Sequence, residues 1–313
     1  MSVDPPNSET PGVLARITAR SADLSGAELR VAQYLQHNAQ QAVFLSSARV
    51  AALSGTSDTT VTRAARALGF AGWAELKRTL GAEVNRSSPS AGRTTTRLRV
   101  TRDASTAELI ETLFEEARER LAISTEDLDP RAFDMAVEML GSAEQVLAYG
   151  VGTSRLCAEY LAVKLQRIGV RARPATAMGF AFADDMLSIG PRDVVIVYAP
   201  GRPFVEIEVL FDHVRRLGGR SILVTGLHRN EYDDQVDCVL RVAGSPGGLT
   251  GELLTPSVAT DALLLALAQG EPTRATDTSR SLNRLRRALR SRRAAPGGQA
   301  IGAALRQQPS QRA

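Results

Sequence analysis

Cysteine, histidine and aromatic residues are scarce in this chain of 313 residues. Its two cysteines, Cys157 and Cys238, lie in apolar segments without a C-x-x-C spacing, which argues against a disulfide framework and against a zinc site. Its three histidines, His37, His213 and His228, show no metal-ligand spacing either. The sequence therefore predicts no metal centre and no cofactor, and it predicts that both cysteines are small buried apolar residues.

Long hydrophobic runs are missing as well. The longest one near the C-terminus, Ala262 to Ala268, is far shorter than the ~18 to 20 apolar residues that span a bilayer. The segment Met1 to Gly12 has no basic stretch followed by an apolar one, so no secretory signal is readable. We expect a cytoplasmic protein without a membrane partner.

Charge is distributed unevenly, although the formal net charge is only +4. Residues 13–81 carry eight basic and four acidic side chains, residues 82–106 carry five and two, and residues 271–313 carry ten and two. Residues 107–270 carry 15 basic and 24 acidic side chains. Because arginine and lysine bind phosphate backbones mainly by charge, a basic N-terminal part beside an acidic body predicts a polyanionic partner for the N-terminal part.

Composition divides the chain into a helical head, a linker and a longer body. The stretch Asn85 to Arg102 is rich in Ser, Thr, Gly and Arg and lacks apolar periodicity, so we expect an exposed linker there. After it, apolar runs such as Val194 to Tyr198 alternate with helical patterns of ~10 to 15 residues. Continuous apolar strands separated by helices indicate βαβ units and a doubly wound parallel sheet covered on both faces.

The C-terminal part begins with a basic helix and ends in a Gly-, Pro- and Gln-rich tail from Ala294, which we expect to be disordered. In the helix, Leu282, Leu285 and Leu289 share one face among arginines. Two roles stay open for this helix, docking on the acidic body or contact with DNA phosphates. The predicted boundaries are 10–86 for the head, 87–106 for the linker, 107–272 for the body with its core at 135–270, and 273–313 for the basic helix and tail.

Within the head, Ser47 to Arg66 has the spacing of a helix-turn-helix. Gly55 permits the tight turn, and Ser57 is a good N-cap for the second helix. The buried stripe of that helix is predicted to be Val61, Ala64, Ala65 and Leu68.

The opposite face of the second helix begins with short polar side chains and continues with arginines: Ser57, Asp58, Thr59, Thr60, Thr62, Arg63 and Arg66. Short side chains let the start of a helix approach base edges, while arginine binds guanine O6 and N7 or a phosphate. This pattern predicts a DNA recognition helix. A helical hairpin whose polar face is merely hydrated would show the same pattern.

A second candidate site is the turn Gly150-Val151-Gly152-Thr153-Ser154, between the apolar run Gln145 to Tyr149 and a helix starting near Arg155. Glycines permit close backbone approach, and the N–H groups at the start of a helix form an anion site. Arg155 stands where a dinucleotide-binding G-x-G-x-x-G would have its last glycine. A tight turn of this kind also occurs without any ligand.

The segment Leu24 to Leu80 resembles the N-terminal domain of RpiR/MurR-type bacterial transcriptional regulators. The resemblance includes the opening LS-x-AE-x-RVA-x-YL, the segment VFLS and the block TTVTRAARALGFAGWAELK. It implies operator binding as a dimer, with recognition through Ser57 to Arg66. Thr56 departs from the family, in which an apolar residue is more usual.

Residues from about Met135 to Ala268 resemble a SIS (sugar isomerase) domain, the second module of the same regulators. The stretches YGVGTS, LAVKLQRIGVRARP and GPRDVVIVY carry this resemblance. It implies a flavodoxin-like α/β fold in which hydroxyls of two turns, here Thr153 and Ser154 in the first with Gly150 and Gly152 shaping it, hold the phosphate of a phosphosugar.

The second turn departs from the family pattern S-x-S-G-x-T. The chain has Tyr198-Ala199-Pro200-Gly201-Arg202-Pro203, in which only Gly201 matches clearly. Two alternatives stay open for Arg202, which either pairs with an anion in place of the lost hydroxyls or is solvated. The effector is accordingly a phosphosugar, a different acid, or lost.

The fold class expected overall is α/β, with an all-α helix-turn-helix head followed by a doubly wound parallel SIS domain. The function expected is a homo-oligomeric regulator that binds double-stranded operator DNA and a small anionic effector. The alternative is a SIS-type sugar-phosphate isomerase, which needs a positioned acid/base pair. Its candidates, Asp184, Asp185, His228 and Glu252, lie in no motif, so no catalytic residue is assigned.

Overall fold

The computed structural model describes residues 11–87, 90–199, 204–227, 231–245 and 249–293. Its N-terminal part is a helical head in which short helices surround one apolar core. The elements are α1 (Val13–Arg20), α2 (Gly26–Ala42), α3 (Ser47–Ser54), α4 (Asp58–Ala67) and α5 (Trp73–Ser87).

Local signals set the ends of these helices. The Ser25 hydroxyl and the Glu28 carboxylate form a capping box at the start of α2. Gly55 ends α3 with φ +63°, a left-handed conformation that glycine adopts without steric cost and that turns the chain towards α4. The predicted stripe of α4 is fully buried, since Val61, Ala64, Ala65 and Leu68 show no exposed surface.

The expected exposed linker is wrong in its local structure, because α6 (Ser90–Val100) is a helix with a buried side. Thr96 and Arg97 are both buried, and Val100 packs on the core of the head. The sequence lacks apolar periodicity here because the buried face is made by an ion pair. Arg97 is paired with Glu116, and its guanidinium lies 5.2 Å from the centre of the Phe44 ring.

Two helices lead into the body, α7 (Thr106–Asp127) and α8 (Pro130–Ser142). The elements that follow are β1 (Val146–Gly150), α9 (Arg155–Arg167), β2 (Ala172–Pro174), α10 (Phe182–Met186), β3 (Val194–Ala199), α11 (Val205–Leu217), β4 (Arg220–Thr225), β5 (Cys238–Arg241), α12 (Leu254–Gly270) and α13 (Pro272–Arg293). The five strands are parallel in the order β2-β1-β3-β4-β5, with Gly150 beside Tyr198. The predicted doubly wound α/β class is thereby confirmed.

Alternate residues of the strands point to two separate cores. On one face, Val146, Ala148 and Tyr198 pack with residues of α8, α9 and α12. On the other face, Leu147 and Tyr149 pack with residues of α10 and α11. Burial on both faces explains why these strands read as continuous apolar runs.

Both cysteines are buried and unpaired, as expected. Burial raises the pKa of the Cys157 thiol, and it raises the pKa of Cys238 to about 11, so neither is a ready thiolate. No group of three His, Cys, Asp or Glu side chains suited to a metal is found among the residues that the structure describes. No helix within those ranges is long and apolar enough to cross a bilayer.

The basic helix α13 is anchored only near its start. The side chains of Arg274 and Thr278 lie against Gly169, at the end of α9. Leu282 is half-buried, whereas Leu285 and Leu289 are 62% and 70% exposed, so the predicted leucine face is packed at its first residue and open to solvent further along. The expected disordered tail from Ala294 lies outside the described residues.

Candidate functional site

The second helix of the helix-turn-helix, α4, presents the predicted polar face to solvent. Ser57, Asp58, Thr59, Arg63 and Arg66 are exposed, and Thr60 and Thr62 are half-exposed. All seven therefore lie on one accessible surface, as the spacing predicted.

Not all of these side chains are free to read DNA. Ser57 is the N-cap of α4, because its hydroxyl accepts the Thr60 N–H at 3.2 Å and contacts the Thr60 hydroxyl at 2.8 Å. Its first role is thus to start the helix. Asp58 follows in the first turn, where a carboxylate stabilises the positive end of the helix dipole.

The two arginines of this face make contacts within the head. Arg63 Nε donates to Glu28 Oε1 at 3.3 Å, and Arg63 stays 60% exposed. Hydrogen bonds from the Ser25 hydroxyl and backbone N–H, with Arg63 in support, hold the pKa of Glu28 below its ordinary value, so Glu28 stays charged. Arg66 Nε donates to the Ala71 carbonyl at 3.3 Å. The pair of Arg63 with Glu28 includes a largely exposed guanidinium, and an ion pair at the surface is weak enough, at ~0 to 1 kcal/mol, for DNA to replace it.

Two further arginines support the recognition helix from a distance. Arg16 donates to the Gly69 carbonyl at 2.9 Å, and Arg20 donates to the Ala67 carbonyl at 3.1 Å. Cations at these last carbonyls satisfy unpaired acceptors and complement the helix dipole. The sequence did not reveal this role, because α1 lies about fifty residues before the end of α4.

The departure at Thr56 has a local explanation. Thr56 is half-buried, and its hydroxyl lies 2.9 Å from that of Ser54. The hydroxyl is therefore satisfied inside the turn, and the side chain does not disturb the motif.

The turn Val151–Ser154 lies where β1 ends. A Cβ at Gly150 would lie 2.5 Å from the Ser154 carbonyl oxygen, so only glycine allows the turn to fold back onto the strand. Gly152, Thr153 and Ser154 form a single 3₁₀ turn that leads directly into α9. The first N–H groups of such a segment have no partner within the helix. Gly150, Gly152, Thr153 and Ser154 are thus brought together as predicted.

The site lies at the topological switch point of the sheet. From β1 the chain continues to β2 on one side, and from β2 it crosses to β3 on the other side of β1. Ligands of open α/β sheets bind in the crevice at such a point. Strand β3 ends at Ala199 and pairs with β1, so the two strands end at the same edge of the sheet. Gly201 and Arg202, the predicted residues of this second turn, lie outside the described residues.

The altered residue Tyr198 has a structural role. Its hydroxyl lies 2.7 Å from the Thr260 hydroxyl, and Thr260 donates to the Pro256 carbonyl at 2.7 Å. Burial raises the pKa of Tyr198 far above its usual value, so it is neutral. Tyr198 therefore joins β3 to α12, and its side chain lies in the core shared with α9 and α12.

The sequence also did not reveal the contact of Glu252 with this turn. Glu252, in the loop before α12, accepts a hydrogen bond from the Thr153 hydroxyl at 2.5 Å. Of the other candidates for an acid or base, Asp185 pairs with Arg173, Asp184 is exposed, and His228 lies outside the described residues. Among the candidates that lie in the described ranges, Glu252 alone is seen to contact the turn.

Known protein families match both parts of the chain. The helix-turn-helix domain of the rpiR family matches residues 11–87, and the SIS domain matches residues 139–266. The fold also resembles solved structures. The NanR protein of Vibrio vulnificus, complexed with ManNAc-6P, has a TM-score of 0.53 at 19% identity, over 88% of this chain and 98% of that one. The sugar isomerase domain of an RpiR transcription factor from Sphaerobacter thermophilus has a TM-score of 0.53 at 23% identity, over 56% of this chain and 98% of that one.

Two relatives agree with these matches. The uncharacterized HTH-type transcriptional regulator YfhH of Escherichia coli K12 is 26% identical over 260 residues, which are 82% of this chain and 92% of the relative. The HTH-type transcriptional regulator HexR of Pseudomonas aeruginosa is 31% identical over 213 residues, which are 67% of this chain and 72% of HexR. The α4 surface and the SIS turn thus occur together, in the expected order, and the chain belongs to the RpiR family of helix-turn-helix transcriptional regulators with a SIS domain.

Proposed function

We propose that residues 10–86 bind operator DNA through the exposed face of α4, and that residues 107–272 sense a small anionic metabolite, a sugar phosphate in the first instance. The single observation that carries the sensing role is the Gly150–Ser154 turn at the switch point, with its glycine-dependent fold and exposed Thr153 hydroxyl. The NanR structure was solved with ManNAc-6P, which supports the ligand class. A DNA-binding role places the protein in the bacterial cytoplasm.

We propose further that the protein acts as a homodimer. Exposed apolar side chains form one face over the neighbouring helices α9 and α12: Leu156, Tyr160, Val163, Val258 and Leu265. Tyr160 joins the two helices by donating to Asp261 at 2.6 Å. Helices as apolar as α12 are typically buried on all sides. A two-fold dimer would cover the outer side of α12. The two recognition helices would then meet half-sites about one DNA turn apart.

The dimer face is tested by Leu265→Glu, which places a charge where Leu265 is 63% exposed. We expect wild type to sediment as a dimer and Leu265→Glu as a monomer, because an unpaired charge opposes burial in an interface. Leu289→Glu on α13 is the control, since Leu289 is exposed to a similar extent outside this face. A monomeric wild type, or a dimeric Leu265→Glu protein, would contradict the proposed interface.

The DNA contact is tested by Arg63→Ala. We expect operator binding to weaken by ~1 to 3 kcal/mol if Arg63 reads a base, and to weaken equally on all sequences if it contacts a phosphate. Fluorescence anisotropy on a site selected from random DNA, and on a scrambled site, separates these two results. Arg216→Ala on α11 is the matched control, because it removes the same charge from the body. If wild type and Arg63→Ala bind DNA with equal affinity, Arg63 does not contact DNA.

The effector site is tested by thermal unfolding with a panel of sugar phosphates and sugar acids, with the unphosphorylated sugars as controls. A ligand that binds only the folded state raises the unfolding midpoint. We expect a sugar phosphate to raise the midpoint of wild type and not that of Ser154→Ala. If no member of the panel shifts the midpoint of wild type, the proposed ligand class is wrong.

The isomerase alternative has one structural observation in its favour, which is the contact of Glu252 with the turn. The same panel tests it by NMR after prolonged incubation. Conversion of a sugar phosphate that Glu252→Gln abolishes would establish an enzyme in place of a sensor. We expect unchanged ligands, because no second acid or base is seen beside Glu252 among the described candidates.

A further inference from the structure

The loop before α12 places a carboxylate against the Gly150–Ser154 turn, which we call the effector turn. Glu252 comes from 99 residues further along the chain and accepts the hydrogen bond of the exposed Thr153 hydroxyl. A hydrogen bond to a charged oxygen is stronger than one between neutral groups. The hydroxyl proposed to bind the effector's anionic group is therefore hydrogen-bonded to a carboxylate of the protein itself.

The neighbouring residue of the same loop is held by helix α7. The Gly251 carbonyl accepts a hydrogen bond from Arg120 Nη1 at 2.5 Å, and Arg120 Nε donates to the Glu116 carbonyl at 3.4 Å. Arg120 is half-buried, and this burial lowers the pKa of its guanidinium. Because Gly251 and Glu252 are adjacent, a displacement of Glu252 moves the carbonyl that Arg120 binds.

Helix α7 in turn contacts the DNA-binding head beside Arg120. Glu116 receives two hydrogen bonds from Arg97 of α6, at 2.5 and 3.1 Å. Glu119 pairs with Lys77 of α5 at 2.7 Å. Three steps of contact thus join the effector turn to the head: Thr153 to Glu252, Gly251 to Arg120, and α7 to α5 and α6.

Resting on the proposed function, we propose that Glu252 competes with the effector for Thr153, and that its displacement reaches the head through Gly251, Arg120 and α7. The anionic group of the effector takes the Thr153 hydroxyl and repels the carboxylate of Glu252. The loop then shifts relative to α7, and the head follows because its ion pairs are made with α7. The effector can change the affinity for DNA only by the factor by which its own affinity differs between the two arrangements of the head.

The competition is tested with Glu252→Gln, which keeps the shape of the side chain and removes its charge. Inorganic phosphate is the probe, and binding is measured by titration calorimetry. We expect phosphate to bind Glu252→Gln about 10-fold more tightly than wild type, since a neutral group competes less strongly for Thr153 than a carboxylate. Glu138→Gln on the exposed side of α8 removes the same charge and is expected to match wild type.

The outcomes separate this inference from the proposed function. If wild type binds phosphate and Glu252→Gln binds it equally or more weakly, Glu252 is not a competitor, although the anion site stands. If neither protein binds phosphate or any sugar phosphate, the anion site itself is wrong and the inference falls with it.

The relay is tested with Arg120→Gln and Arg120→Lys, each compared with Arg118→Gln. Arg118 lies on the same helix, is 64% exposed and pairs only locally with Glu115. The measured quantity is the ratio of DNA affinities with and without the sugar phosphate that shifts wild type most. A ligand that discriminates between the two arrangements typically gives a ratio of about 5 to 150.

We expect the ratio to fall towards 1 in both Arg120 variants and to persist in Arg118→Gln. Unfolding midpoints identify any variant that fails to fold. If Arg120→Gln does not fold, Arg120→Lys, which retains the charge, is the variant that tests the relay. A folded Arg120 variant with the wild-type ratio would overturn the relay.

Discussion

The ion pairs between α7 and the basic helices beside it are the contacts on which the arrangement of head and body depends. Lys77 pairs with Glu119, Arg78 with Asp127, and Arg97 with Glu116, and all six side chains are largely buried. Buried pairs are costly to break, because the remaining charge loses its partner away from water. They also fix geometry, since the fork of Arg97 binds the Glu116 carboxylate through two parallel hydrogen bonds. Head and body are therefore connected through α7.

This arrangement changes the meaning of the uneven charge distribution. The excess of basic residues in the head and linker predicts a polyanionic partner, yet part of it is neutralised within the chain by carboxylates of α7. The exposed charge that we propose binds DNA is the set on α4, of which Arg63 is paired with Glu28. A regulator of this kind gains specificity from a few directed side chains more than from its net charge.

Much of the fold follows from features that act over short distances along the chain. Gly55, Ser57 and the Val61–Leu68 stripe define the helix-turn-helix, and the apolar runs define the parallel strands, because each depends on neighbouring residues only. The sequence predicts an exposed linker around Arg97, because the burial of this charged residue depends on a partner 19 positions away. The contacts of Arg16 and Arg20 at the end of α4, and that of Glu252 with Thr153, also join residues far apart in the sequence, so the sequence does not predict them. The second turn shows the reverse case, in which the sequence reveals a loss of hydroxyls and the structure explains only Tyr198.

Helix α7 is the element through which we propose that an effector at the Gly150–Ser154 turn acts on the head. Hydrogen–deuterium exchange of the full chain, with and without a saturating sugar phosphate, tests this most directly, because exchange reports the local opening of helices. We expect altered exchange in the Gly150–Ser154 turn, in residues 249–254 and along α7 from Glu116 to Asp127, with a further change in α5 or α6. A change confined to the turn, with α7 and the head unaltered, would contradict this proposal.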